Sequence, residues 1–324
     1  MKIAILDDYL DVVLSLADWN SLPDGTIVER FTDHLTNEDE LAQRLEPFDI
    51  IVAKRERTPF PRTLFIRLPN LKLMVVGRKH NRKIDIATAT ELGIFITGTE
   101  RFGTAAAELT WGLILALLRN IPREDRAIRN GKWHDRIGKT LEGSTLGIIG
   151  LGRIGTKIAA LANAFGMTVI AWSQNMTPDT ARQAGARCVE RDELFRQADI
   201  VTVHVALSER TEKLIGAHEL GLMKSSAYLV NTARGPIIDE KALIAALENN
   251  AIAGAGLDVF EQEPLPPDHP FRRIDNIIVT PHIGYVTEES FKAYYQSALE
   301  NIKAFLEGSS IPRLLNDPQN PRGL

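Results

Sequence analysis

The stretch GIIGLGRIGTKIAALANAFGMTVIAWSQN, residues 147–175, decides the fold. It opens on the end of a short apolar run, continues as an amphipathic segment of helical length and closes on a second apolar run, TVIAW. Strand, helix and strand in about thirty residues is the unit from which a helix-covered parallel sheet is built. Gly150, Gly152 and Gly155 form G-x-G-x-x-G on the turn between the first strand and the helix. In that setting the first glycine permits a tight turn, the second lets backbone approach a pyrophosphate, and the third lets helix and strand pack closely. The amides of Arg153 and Ile154 then open the helix, where its dipole favours an anion. The stretch therefore reads as a dinucleotide-binding turn.

The second strand ends without its usual carboxylate. An acidic side chain at that place normally accepts hydrogen bonds from the adenosine ribose. Here Ser173 and Gln174 occupy it, followed by Asn175. Without the carboxylate, nothing repels a 2′-phosphate, and these side chains can donate hydrogen bonds to one. The charge logic leans slightly towards NADP over NAD. No arginine stands there to clamp the phosphate, so NAD or NADP are both carried forward.

Outward from this unit the alternation continues in both directions. Strand-length runs TLGIIG, TVIAW, IVTVHV, AYLVNT, AGLDVF and IIVTPH follow one long apolar helix read over 104–133. Before it, KIAILD, TIVERF, DIIVAK, LKLMVV and IFITG alternate with helices near 11–19, 37–45, 61–68 and 85–92. The class is α/β, with two doubly wound parallel-sheet domains: a flavodoxin-like substrate domain and a Rossmann dinucleotide-binding domain. The expected boundaries give 1–98 plus 287–324 to the substrate domain, because the helix TEESFKAYYQSALENIKAFLEG has no strand after it, and 99–286 to the dinucleotide domain. A site between the domains is expected. The tail NDPQNPRGL reads as polar and poorly ordered.

Bulk properties exclude several function classes. A formal net charge of −4 leaves no basic footprint for nucleic acid. The longest apolar run, LILALL, is far below the roughly 18–20 residues that span a bilayer. A single cysteine, Cys188, allows no intrachain disulfide, and the histidines His34, His80, His134 and His218 show no metal-ligand spacing. No nucleic acid, membrane or metal is expected as a partner, and a cytoplasmic setting is.

Three later strands end on polar residues, in NTARGPIIDE, GLDVFEQEP and VTPHIGY. Carboxyl ends of an open parallel sheet face the ligand crevice, which puts Arg234, Asp258, Glu263 and His282 on the nicotinamide side. His204, ending IVTVH, joins them by position. Arginine binds a carboxylate through two parallel hydrogen bonds, and a glutamate beside a histidine orients the ring for proton transfer. Together they suit reduction of a 2-oxo acid.

With the glycine motif, these segments resemble the D-isomer-specific 2-hydroxyacid dehydrogenase family, which includes phosphoglycerate and glyoxylate/hydroxypyruvate dehydrogenases. The likeness is strongest from about 104 to 286. It implies His282 as general acid/base, Glu263 as its partner, and Arg234 as anchor for the substrate carboxylate and carbonyl. It implies Asp258 at the nicotinamide carboxamide and Thr232, Ala233 and Gly284 near the cofactor. The implied activity moves a hydride between a nicotinamide cofactor and a small 2-oxo or 2-hydroxy acid. The alternative is a dinucleotide-sensing interaction protein, as in the corepressors of the same family. Glu263 stands where the formate dehydrogenase branch carries glutamine.

Two segments depart from the family pattern. After LKLMVV, Gly77 fits the small residues expected beside a substrate carboxylate, but Arg78, Lys79 and His80 are bulky and polar. AKRERTPFP, by contrast, resembles a family segment whose arginines can face the substrate, which makes Arg55 and Arg57 candidates; Lys and Arg from both loops either favour a substrate with a second anionic group or form a solvated basic surface. Tyr285 follows Gly284 where a smaller residue is usual, and its ring is expected either to narrow the pocket or to pack under the final helix. The apolar helix around ELTWGLILALLRN predicts burial against a second subunit or between the chain's own domains, and the family resemblance implies a homodimer.

Overall fold

The computed structural model describes residues 1–54, 57–77, 83–100 and 103–319. In chain order, β1 (Lys2–Ile5), α1 (Val13–Leu16), β2 (Ile27–Arg30), α2 (Glu38–Leu45), β3 (Ile50–Ala53), α3 (Arg62–Phe65), β4 (Leu73–Val76), α4 (Ile86–Glu91) and β5 (Phe95–Thr97) come first. They are followed by α5 (Ala105–Leu118), α6 (Ile121–Arg129), β6 (Thr145–Ile149), α7 (Arg153–Ala164), β7 (Thr168–Trp172), α8 (Pro178–Gln183), β8 (Arg187–Cys188) and α9 (Arg191–Gln197). The chain then runs through β9 (Ile200–Val203), α10 (Ala217–Leu222), β10 (Tyr228–Asn231), α11 (Glu240–Glu248), β11 (Gly254–Leu257), β12 (Ile277–Val279) and α12 (Glu288–Leu306). Two compact units result, Met1–Gly103 with Thr287–Leu324, and Thr104–Val286.

The first unit holds a five-stranded sheet of order β2-β1-β3-β4-β5, parallel throughout. The four residues of β3 and of β4 are all buried, as continuous apolar strands covered on both faces require. One face carries Leu41, Leu45, Leu64 and Phe65 from the helices. Helix α12 packs near β4 and α1 and buries Tyr295, Ala298 and Ile302. The polar tail does not begin as loose chain. Leu314 bridges Thr97, and buried Asn316 takes the Ile96 amide while donating to Thr90 Oγ1 at 2.8 Å and the Ile94 carbonyl at 2.9 Å. These bonds complete an open strand edge, a role that polarity alone does not reveal.

The second unit holds a seven-stranded sheet of order β12-β11-β10-β9-β6-β7-β8, also parallel. Six of its strands match the apolar runs; β8, only Arg187–Cys188, has no such run and escapes a hydrophobicity reading. The strand order reverses between β6 and β9, so their carboxyl ends open the crevice at which α/β sheets bind ligands. Ile149, Val203 and Leu257 face one core with Phe195 and Leu243, while Ile148, Ile200 and Val230 face the other with Ile158 and Leu117.

The long helix read over 104–133 is two helices. Asn120 adopts left-handed backbone with φ 53° and Pro122 opens α6, where its ring and missing amide forbid continuation of α5. The apolarity of α5 is consumed within the unit. Leu113 and Leu117 pack so closely on Gly256 of β11 that a Cβ there would lie 3.2 and 3.1 Å from them. Burial of this helix thus needs no second subunit.

Candidate active site

The site is built from strand ends. Gly150 follows β6 with φ 96°, a left-handed conformation that favours glycine, and its amide donates to the Trp172 carbonyl of β7. A Cβ on Gly155 would collide with the Gly150 carbonyl oxygen, so the third glycine is required by close packing of α7 on the turn. Gly152 differs. It caps α7 with ordinary φ −84°, and a Cβ there would meet nothing within 4 Å. No internal contact demands this glycine, and the room it leaves beside the Arg153 and Ile154 amides fits a pyrophosphate. Ser173, half-buried, and Gln174, exposed, follow β7 next to this turn.

His204 continues β9, its amide donating to the Ile149 carbonyl and its Nε2 lying 2.8 Å from Thr202 Oγ1. Burial pushes its pKa down to about 3, so the ring is neutral near pH 7. At the end of β10, buried Asn231 ties the next turn together: its amide donates to the Arg234 carbonyl at 2.9 Å and its Oδ1 accepts the Ala233 amide at 3.0 Å. Thr232 Oγ1 meets Thr110 Oγ1 of α5 at 2.8 Å, and an Arg234 guanidinium nitrogen donates to the Ala233 carbonyl at 2.6 Å.

The ends of β11 and β12 carry the histidine. His282 Nδ1 lies 2.6 Å from Glu263 Oε2, and Glu263 Oε1 accepts the Phe260 amide at 3.0 Å. The carboxylate is thus fixed on one oxygen and engages the ring at Nδ1 with the other. The side chains of His282 and Glu263 are 14% and 23% exposed, open enough to be reached and enclosed enough to be held. Asp258, buried at 1%, accepts Thr280 Oγ1 at 2.6 Å, the Ile283 amide at 2.8 Å and the Gly284 amide at 2.8 Å. Burial raises its carboxyl above the ordinary carboxylate value, against the pull of these three donors and of His282. The Tyr285 ring stands edge-on to His282, centroids 5.6 Å apart and planes at 87°.

Residues 111–284 match the family described as D-isomer specific 2-hydroxyacid dehydrogenase, NAD binding domain. The chain belongs to this family. Among its relatives, glyoxylate reductase of Aeropyrum pernix is 40% identical over 263 residues, 78% of each chain. Hydroxypyruvate reductase of Blautia hydrogenotrophica is 33% identical over 321 residues, 96% of this chain and 98% of the relative. The crystal structure of phosphoglycerate oxidoreductase from Vibrio cholerae superposes with TM-score 0.91 at 35% identity, covering 95% of this chain and 100% of that one. A 2-hydroxyacid dehydrogenase with a nicotinamide coenzyme is therefore favoured over the interaction-protein alternative.

In the other unit, Gly77 is buried directly after β4, and the Arg57 guanidinium lies 4.6 Å above the Tyr9 ring. Arg55, Arg78, Lys79 and His80 lie outside the described residues. Sequence reading passed over the residues that organise these loops. Asn231 and Thr280 in the second unit are two of them. In the first, Asp7, with φ 59° and 1% exposure, receives Thr58 Oγ1 at 2.8 Å, Tyr9 Oη at 3.3 Å and a His34 Nδ1 contact at 2.8 Å. Polar residues closing an apolar strand are the available signal, doubled here by Asp8. Among the described residues, no group of three His, Cys, Asp or Glu side chains is arranged to hold a metal, and no helix is long and apolar enough to cross a membrane.

Proposed function

We propose that this family member interconverts small 2-oxo acids and D-2-hydroxy acids, acting as a reductase on glyoxylate, hydroxypyruvate or a phosphorylated relative of the latter. The observation that carries the reading is the 2.6 Å contact between His282 Nδ1 and Glu263 Oε2, with Glu263 itself held by the Phe260 amide. Bound reduced nicotinamide supplies the hydride for C2. His282 gives a proton from Nε2 to the C2 oxygen, and Glu263 keeps the ring oriented as the proton is gained or lost. Arg234 binds the substrate carboxylate and polarises its carbonyl. In the oxidative direction His282 takes the hydroxyl proton instead.

Gly150, Gly152, Gly155 and the Arg153 and Ile154 amides hold the pyrophosphate. Ser173 and Gln174 meet the adenosine ribose with no carboxylate to repel a 2′-phosphate, a slight lean to NADP over NAD. Thr232, Ala233, Asp258, Gly284 and neutral His204 contact the nicotinamide half. Arg57 and Gly77, with Arg55 and Arg78, contribute substrate contacts. The lone Cys188 supports a reducing cytoplasm as the setting.

A homodimer is proposed on a different surface from α5. Ile121 and Ile128 of α6 are 52% and 53% exposed, and Trp133 and Ile137 in the following arm are 77% and 98% exposed. The arm is nonetheless fixed: Glu124 accepts the Arg136 amide at 2.8 Å and the Lys139 amide donates to the Leu118 carbonyl at 2.8 Å. Ordered backbone that turns apolar side chains outward suits a second copy.

The test is turnover by the purified protein with NADH and NADPH in separate assays against glyoxylate, hydroxypyruvate, pyruvate and phosphohydroxypyruvate. Oxidation of coenzyme with one of these acids is the expected result. Tight coenzyme binding without turnover of any 2-oxo acid overturns the assignment.

A further inference from the structure

The family likeness gives Asp258 a cofactor contact. The geometry points to a second role, and we infer that Asp258 is a positioning residue, whose buried carboxylate forms the last turn of the catalytic loop around itself and so holds His282 against Glu263. This rests on the dehydrogenase reading above, with His282 as the acid/base.

β11 lies between β10 and β12, and the ladders continue past its end: the Asp258 amide donates to the Asn231 carbonyl at 3.0 Å and the Thr280 amide to the Leu257 carbonyl at 2.9 Å. Asp258 therefore leaves the sheet at an interior strand and cannot escape to solvent. A buried carboxylate must be satisfied by donors, or its burial is costly. Among the described residues its donors come from one short segment, the Thr280 hydroxyl and the amides of Ile283 and Gly284. Those three donors bracket Pro281 and His282.

His282 has φ 55°, a left-handed backbone that a non-glycine residue keeps only when its surroundings impose it. The consecutive amides after it converge on one anion, the concave arrangement known from backbone anion nests. Gly284 completes the fit, because a Cβ there would lie 3.0 Å from Asp258 Oδ2. A carboxylate offers about four acceptor positions; the loop uses three, and the fourth suffices for a single contact to the coenzyme. The His282 amide also donates to the Thr280 carbonyl at 2.9 Å, a bond within the turn itself; with the anion removed, the three donors that close the turn around it lose their common acceptor, and the 2.6 Å register of His282 with Glu263 is lost.

The experiment uses Asp258→Asn and Thr280→Val in the full chain. Asparagine turns a donor towards one of the loop amides, whereas valine removes one of three donors and leaves Asp258 intact. Three readouts are taken: amide hydrogen exchange at Ile283 and Gly284, kcat at saturating coenzyme, and coenzyme Kd by fluorescence. Exchange at both amides is expected to accelerate by about tenfold or more in Asp258→Asn, with kcat falling about tenfold or more. Thr280→Val is expected to lower kcat by about threefold to tenfold, with coenzyme Kd within about twofold of wild type. Asp258 acting on coenzyme alone predicts the reverse: coenzyme Kd raised about tenfold in Asp258→Asn, with exchange, saturating kcat and the Thr280→Val enzyme all as wild type. That result overturns the inference. Wild-type protein without turnover sinks the dehydrogenase assignment instead, and the exchange measurement still decides whether Asp258 holds the loop.

Discussion

The place where Gly155 lacks a Cβ is taken by the carbonyl oxygen of Gly150, so the turn and the helix after it interlock through two glycines. Gly152, between them, has open space instead. The two positions should separate folding from binding. Gly155→Ala is expected to destabilise the protein by about 2 kcal/mol in urea unfolding, because the backbone must shift. Gly152→Ala should unfold as wild type while weakening coenzyme binding by about tenfold, since its methyl enters the pyrophosphate space. Equal effects of the two on stability would refute this division.

Tyr285 packs edge-on against His282 and is expected to limit the substrate side chain. In Tyr285→Ala, the ratio of kcat/KM for a longer 2-oxo acid to that for glyoxylate should rise by about tenfold, the usual worth of a methylene-sized change in an apolar pocket. Unchanged ratios across a chain-length series would show that the ring does not line the pocket.

His204 sets an acid-stability prediction. Its folded pKa of about 3 lies below the ordinary 6.5, so below pH 6.5 the unfolded chain takes up a proton that the folded chain refuses. Stability contributed by the neutral ring is full above pH 6.5 and is lost as pH falls towards 3, by at most about 2 kcal/mol at pH 5. Denaturation of His204→Gln should show a shallower loss between pH 6.5 and 5 than wild type. Parallel curves would mean that the ring ionises alike in both states.

The outward apolar arm carries the oligomer prediction. Trp133→Ala combined with Ile137→Ala should move the species in sedimentation velocity from dimer to monomer at micromolar concentration, with the fold retained by circular dichroism. A monomeric wild type, or a double variant that stays dimeric, excludes this surface.

Most of the architecture is legible in residue pattern because buried parallel strands are continuous apolar runs. The runs IIVA, LMVV and TLGII announce β3, β4 and β6. What escapes has physical reasons. β8 is two residues with no apolar signature, and the break between α5 and α6 depends on Pro122 and a left-handed Asn120 inside an otherwise helical composition. α5 looks like an interface helix because burial by its own sheet and burial by a partner demand the same side chains. In the site, the pairing of Glu263 with His282 is implied by the family likeness, but its 2.6 Å geometry is made only by the folded loops. Asn231, Thr280 and Asp7 act through hydrogen bonds to backbone and side chains that only the folded loops bring near, and Asn316 through bonds to a strand edge far away in sequence.

The central claim is that His282, held by Glu263, moves the proton that accompanies hydride transfer. The most direct measurement compares wild type and His282→Ala for kcat with the best 2-oxo acid and for coenzyme Kd in the same preparation. A fall in kcat of about 10²–10⁴-fold, with coenzyme Kd changed by less than about threefold, is the predicted result. Turnover within about threefold of wild type in the variant would contradict it.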